Sequence, residues 1–164
     1  MTDYGVVVNA YVFMWDVIYF EVIGMVKSVI LDVMMRDHER ILVLLNAVKT
    51  ARLNEMVERF DAFDWYLKKH MFVEEKVVFE SFNQVITDGY EVIPRLVDEH
   101  NRLLDMVRGF QTKVEDGEQV DFGKFEALLF SHKDFEEMSV YPRLDQELSA
   151  ADTQKMLIRI RDVL

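Results

Sequence analysis

The sequence predicts an all-α protein. Its expected architecture is an antiparallel up-and-down four-helix bundle with an extra N-terminal helix and a short C-terminal helix. Three observations predict it. Apolar residues recur at steps of three and four along most of the chain, the spacing of one helix face. Only 6 Gly and 2 Pro occur in 164 residues, too few chain breakers for a many-turned β-sandwich. Four long apolar series are separated by short polar turns, and helices joined in that way pack most simply side by side in alternating directions.

Residues 1–28 form the first element. The uncharged run over residues 4–15 is shorter than the ~20 apolar residues a membrane-spanning helix needs, and Asp16, Glu21 and Lys27 interrupt the apolar stretch beyond it. No Lys or Arg precedes Lys27, so the basic start of a signal peptide is missing. The expectation is therefore no membrane span and a cytoplasmic location. As a helix, this stretch gathers Asn9, Asp16 and Lys27 on one polar stripe and leaves most of its circumference apolar. Such a helix needs cover. It is expected to pack on the bundle and to form a homodimer or partner-protein contact.

The bundle proper is expected over residues 29–148. Its first helix carries Ile30, Val33, Met34, His38, Ile41, Leu42 and Leu45 on one face, and its second carries Met56, Phe60, Phe63, Leu67, His70, Glu74 and Val77. The third presents Ile93, Leu96, Val97, His100, Leu103, Leu104 and Val107, and the fourth Phe125, Leu128, Leu129, His132, Phe135, Glu136 and Val140. Turns are expected near residues 50–54, at Thr87-Asp88-Gly89 with Pro94, and at Asp116-Gly117. Asp121 is the expected N-cap of the fourth helix. Ser149 with Asp152 three residues on resembles a capping box and opens a short last helix over residues 149–164.

Composition narrows the chemistry. Lys and Arg number 19 against 30 Asp and Glu, a net charge of -11, which repels phosphate backbones and argues against nucleic acid as the main partner. There is no cysteine, which excludes disulfides, thiolate zinc sites, iron–sulfur ligation and cysteine nucleophiles. Chemistry falls to His, carboxylates, Tyr and hydroxyls.

All four histidines, His38, His70, His100 and His132, lie on the inward apolar series. The intervals from His38 to His70 and from His100 to His132 are both 32 residues. The words around them repeat as well. Asp37-His38-Glu39-Arg40-Ile41-Leu42 matches Glu99-His100-Asn101-Arg102-Leu103-Leu104, and His70…Glu74-Glu75 matches His132…Glu136-Glu137. An aromatic, Phe79 or Tyr141, follows four residues after each second Glu. The chain thus reads as two halves offset by 62 residues.

His at i and Glu at i+4 share a helix face, about 5–6 Å apart at Cβ. Two such pairs and two further histidines bring four His and two Glu into one core, a donor set suited to two metal ions with bridging carboxylates and terminal imidazoles. An ionised Glu in an apolar core costs several kcal/mol unless paired or metal-bound, and nothing basic lies on these inward faces. His38, His70, Glu74, His100, His132 and Glu136 are the candidate metal ligands.

The pattern His…HxxxEE…His…HxxxEE, with Tyr141-Pro142 after the last pair, resembles the hemerythrin-like, or HHE cation-binding, domain over roughly residues 29–148. That resemblance implies a four-helix up-and-down bundle around a non-haem di-iron centre. His38 and His70 would bind one iron and His100 and His132 the other. Glu74 and Glu136 would bridge them together with an oxo or hydroxo group. His and Glu side chains also accept zinc and manganese. The oxygen-carrying hemerythrins of marine invertebrates have HxxxH on the third helix, whereas Leu104 stands four residues after His100 here. Their last carboxylate sits five after its histidine, the place of Glu137. The internal repeat favours Glu136, and Glu75 and Glu137 are read as solvated or supporting residues, although some family members use such a Glu as an extra ligand.

Fewer imidazoles leave each iron an open position. The resemblance then implies binding or sensing of O2, NO or iron, with a di-iron enzyme acting on peroxide or NO, or repairing iron–sulfur centres, as the alternative. The repair proteins carry a cysteine-containing N-terminal region that this chain lacks. Tyr66, one turn before His70, is read first as core filler with its hydroxyl at the rim and second as a donor to the centre.

Overall fold

The computed structural model describes residues 28–163. The N-terminal helix expected over residues 1–28, and the dimer or partner contact assigned to it, lie outside the described residues except for Ser28. Every element among the described residues is helical: α1 (Val29–Lys49), α2 (Leu53–Val73), α3 (Phe79–Val85), α4 (Gly89–Glu115), α5 (Gly123–Phe135), α6 (Tyr141–Glu147) and α7 (Ala150–Val163). Two π-helical turns, Glu74–Val78 and Glu136–Val140, join α2 to α3 and α5 to α6 without a break. The described chain is therefore four long helical rods and a short last helix. None of its helices is long and apolar enough to cross a membrane.

Local chemistry sets the ends. Asp116-Gly117 closes α4 in a Schellman arrangement. The Glu118 N–H donates to the Lys113 carbonyl at 2.8 Å and the Gly117 N–H to that of Val114 at 3.1 Å, with Gly117 at φ 71°. Asp121 serves the start of the fourth rod from one residue before the cap position, its Oδ1 accepting the Gly123 N–H at 2.9 Å. Ser149 Oγ accepts the Asp152 N–H at 3.2 Å and donates to the Asp152 carboxylate at 2.7 Å. Pro94, expected with the turn, instead lies in the second turn of α4, because the helix already starts at Gly89. The start of α1 is capped from across the fold. Asp145 of α6 accepts the N–H groups of Ile30 (2.9 Å) and Leu31 (3.1 Å), and a carboxylate there also suits the helix dipole.

Helix α1 packs on α2 and α6, α4 on α2, α3 and α5, and α7 on the first π turn and α2. The apolar faces form two clusters. One gathers Ile30, Met34, Val73, Phe79, Phe82, Leu96 and Leu144, and α7 adds Met156 and Ile160 to it. The other gathers Ile41, Leu45, Phe60, Phe63, Leu67, Leu103, Phe125 and Leu129. Between them lies a polar layer.

Candidate metal centre

The layer is built one side chain per helical turn. His38 stands between Met34 and Ile41 on α1, His70 between Leu67 and Val73 on α2, His100 between Leu96 and Leu103 on α4, and His132 after Leu129 on α5. Glu74 and Glu136 open the two π turns. All six side chains are buried. The six residues singled out in the sequence thus meet at one level between two apolar clusters.

Their facing atoms are close. His70 Nε2 and His100 Nε2 each lie 3.2 Å from Glu74 Oε2. His132 Nε2 lies 3.3 Å from Glu136 Oε1, and His38 Nε2 lies 3.4 Å from Glu136 Oε2 and 3.9 Å from Glu74 Oε1. Two four-residue groups result: His38, His70, Glu74 and Glu136, and Glu74, His100, His132 and Glu136. In each, the candidate donor atoms lie within 4.8 Å of one another, and both carboxylates are shared.

The outer ring nitrogens show a second set of four carboxylates. His38 Nδ1 meets Glu137 Oε1 at 2.8 Å and His100 Nδ1 meets Glu75 Oε1 at 3.0 Å. His70 Nδ1 meets Asp37 Oδ2 at 2.7 Å and His132 Nδ1 meets Glu99 Oε2 at 2.9 Å. The 62-residue offset relates the members of each pair. A neutral imidazole whose Nδ1–H donates to a carboxylate presents a lone pair at Nε2, so these contacts aim four lone pairs inward. Sequence reasoning assigned no role to Asp37 and Glu99. The available signal was the acid placed before His38 and before His100 in the repeated words.

Electrostatics and unmet hydrogen bonding both test the fit to metal. Burial is the largest influence on every imidazole and acts to lower its pKa, yet the carboxylates outweigh it. Glu74 and Asp37 raise His70 to about 10, and Glu74 with Glu75 raise His100 to about 9. His38 and His132 are raised too, the first by Glu136 and Glu137 and the second chiefly by Glu136. Burial pushes Glu74 up, but His70 and His100 hold it well below the usual carboxylate range. Glu136 is raised by burial and by Glu74, and is lowered overall by His132 and His38. In the metal-free chain the carboxylates thus favour the protonated imidazoles, and a cation would take the place of those protons. His38 Nε2, Glu74 Oε2 and Glu136 Oε1 are buried without a hydrogen-bond partner, and His100 Nε2 faces His132 Nε2 at 3.0 Å. Buried acceptors of this kind call for a shared proton or a metal ion. The imidazole and carboxylate donors fit a divalent or trivalent cation.

Two tyrosines divide the roles weighed for one. Tyr66 does not reach the centre. Its hydroxyl donates to Asp37 Oδ1 and so steadies the partner of His70. Tyr141 does reach it, donating to Glu74 Oε1 and, at 3.1 Å, to Glu136 Oε2. The π turns account for this. Five residues along an α-helix point about 140° away from the first. In each π turn the N–H of Phe79 or Tyr141 bonds back five residues to the carbonyl of Glu74 or Glu136, and the added residue returns the ring to the inner face.

A family model, the hemerythrin HHE cation binding domain, matches residues 29–144. The chain belongs to this family, and the buried His and Glu groups support a metal cation as its cofactor. Neither a curated protein nor a solved structure matches the chain at a significant level.

Proposed function

We propose that this protein binds two non-haem iron ions in an antiparallel up-and-down four-helix bundle formed by residues 29–148, with residues 149–164 as an added helix, and that the centre binds or senses O2 or NO. The carrying observation is the pair of overlapping four-donor groups that share Glu74 and Glu136. In this reading His38 and His70 hold one cation, His100 and His132 the other, and the two glutamates bridge. Iron there supplies Lewis acidity and redox chemistry toward a small ligand. The chain supplies the rest. Asp37, Glu75, Glu99 and Glu137 orient the imidazoles, and the two apolar clusters limit water around the centre. Each cation draws four donors from the chain, fewer than the six of an octahedral ion, so positions remain for a small molecule.

Elemental analysis and an absorption spectrum of protein purified without added metal test the reading. The expected result is about two irons per chain with near-ultraviolet absorption, and iron content falling below the parent's in His70→Ala and His132→Ala. Unchanged occupancy in both variants removes the ligand assignment. The enzymatic alternative, consumption of peroxide or NO, draws support from the same open positions. Rapid multiple turnover favours it, and a stoichiometric spectral change favours binding.

A further inference from the structure

We infer that Trp65 and Tyr66 form the place where an external one-electron carrier exchanges electrons with the metal centre, by way of Asp37 and His70; the inference rests on the di-iron reading above. Tyr66 is half-buried, and its hydroxyl donates to Asp37 Oδ1. The other carboxylate oxygen, Asp37 Oδ2, meets His70 Nδ1 at 2.7 Å. Trp65 stands outside Tyr66, 61% exposed, with the two ring centroids 6.4 Å apart. Aromatic rings thus lead from solvent to one carboxylate, and hydrogen bonds lead on to an imidazole of the centre. Electrons tunnel farther through bonded and hydrogen-bonded atoms than across open gaps. Indole and phenol rings are among the side chains that hold their electrons most loosely.

The internal repeat supplies the comparison. The 62-residue offset carries Asp37 to Glu99, Trp65 to Ala127 and Tyr66 to Leu128. There Glu99 Oε1 accepts from Arg95 Nε at 2.9 Å, and Glu137 is met by Lys133 at 3.4 Å. Guanidinium and ammonium groups hold their electrons too tightly to relay one. Among the described residues, Asp37 is the outer carboxylate that accepts from an aromatic hydroxyl. Local charge suits an anionic carrier. Arg40 lies over the Tyr66 ring at 4.9 Å and Lys69 over the Trp65 ring at 4.8 Å, on a chain whose net charge is -11. The step moves no atom: the iron pair changes by one electron, the carrier changes by one in the opposite sense, and Tyr66 keeps its proton.

The test uses the full chain loaded with ferrous iron, as parent, Tyr66→Phe, Trp65→Leu and Arg95→Gln. Ferricyanide, an anion too bulky to enter the buried layer, takes one electron from the iron pair and becomes ferrocyanide. The oxidation rate is read by stopped-flow absorbance, together with iron per chain, the reduction potential and the rate of nitric oxide binding. Tyr66→Phe keeps the ring and loses the O–H link. It should retain both irons, the parent's potential and the parent's rate of nitric oxide binding, yet be oxidised severalfold more slowly. Trp65→Leu, which removes the exposed end, should be slowed as well. Arg95→Gln, which removes the matching contact on the other side, should be oxidised at the parent's rate. Parent-like oxidation of Tyr66→Phe or Trp65→Leu, or an equal slowing in Arg95→Gln, overturns the inference. Lost iron, a shifted potential or equally slowed nitric oxide binding in Tyr66→Phe overturns it too, because the residue would then act by positioning His70 and not by conduction. A parent that holds no iron pair overturns the di-iron reading instead.

Discussion

His70 and His132 each have a central carboxylate oxygen within 3.3 Å of Nε2 and an outer carboxylate hydrogen-bonded at Nδ1. Removing the outer grip should matter although it touches no cation. Asp37→Asn and Glu99→Gln keep size and shape but lose the charge that orients His70 and His132. Metal affinity measured by chelator competition should fall about 10–100-fold in each. Parent-like affinity in both variants would show that these carboxylates are bystanders. The same residues give the metal-free protein a definite pH response. His70 and His100 are raised to about 10 and about 9 in the folded state, so their protonation stabilises the fold fully below their unfolded pKa near 6.5. That contribution is lost as pH rises through the folded values. The thermal midpoint of the metal-free chain should therefore fall between about pH 7 and 10. Metal affinity should rise across the same window, because the cations displace those protons. A midpoint independent of pH there would contradict the protonated imidazoles. Legibility at this scale was uneven. His70 and Glu74 share a helix face, so helical spacing alone predicted that they meet. Asp37 and Glu99 serve histidines on other helices, 33 residues away in each case, and no local period encodes that pairing.

Among the elements, the turns followed their residue chemistry closely and the π turns did not announce themselves. Gly117 and Ser149 act where their turn and capping preferences place them, and Asp121 acts from one residue before the cap position, which Phe122 holds. Hydropathy could not reveal the π turns. A single inserted residue only shifts the phase of the apolar stripe, and Val77 and Val78 are both buried on either reading of the phase. The buried aromatics five residues after Glu74 and Glu136 are the residues that mark the shift. Two glycines near the end of α4 make opposite predictions. Gly117 has φ 71°, so Gly117→Ala should cost about 1–2 kcal/mol, the penalty for a side chain in the left-handed region. Gly109 lies in the interior of α4 with nothing within 4 Å of an added Cβ. Gly109→Ala should stabilise by about 0.5–1 kcal/mol. Denaturant unfolding of both variants checks the pair, and shifts of the same sign would contradict the assigned backbone roles.

At the scale of the whole molecule, the architecture explains how a helical protein keeps four histidines and four carboxylates buried among its described residues. The layer of four histidines and four carboxylates, Asp37, Glu74, Glu99 and Glu136, sits between two apolar clusters that hold the helices in register on either side. The stability of the molecule should depend on what fills that layer. A cation held by these side chains needs them gathered by the folded chain, so excess metal should raise the unfolding midpoint with the logarithm of its concentration over Kd. That rise should vanish in a His70→Ala/His132→Ala variant. Anomalous diffraction at the iron edge, from crystals of the protein as purified, is the sharpest single test of the paired centre. Two peaks at bridging distance are expected, one among His38, His70 and the two glutamates and the other among His100, His132 and the same glutamates. A single peak, or density for metal at the surface with none in the layer, would refute the paired centre.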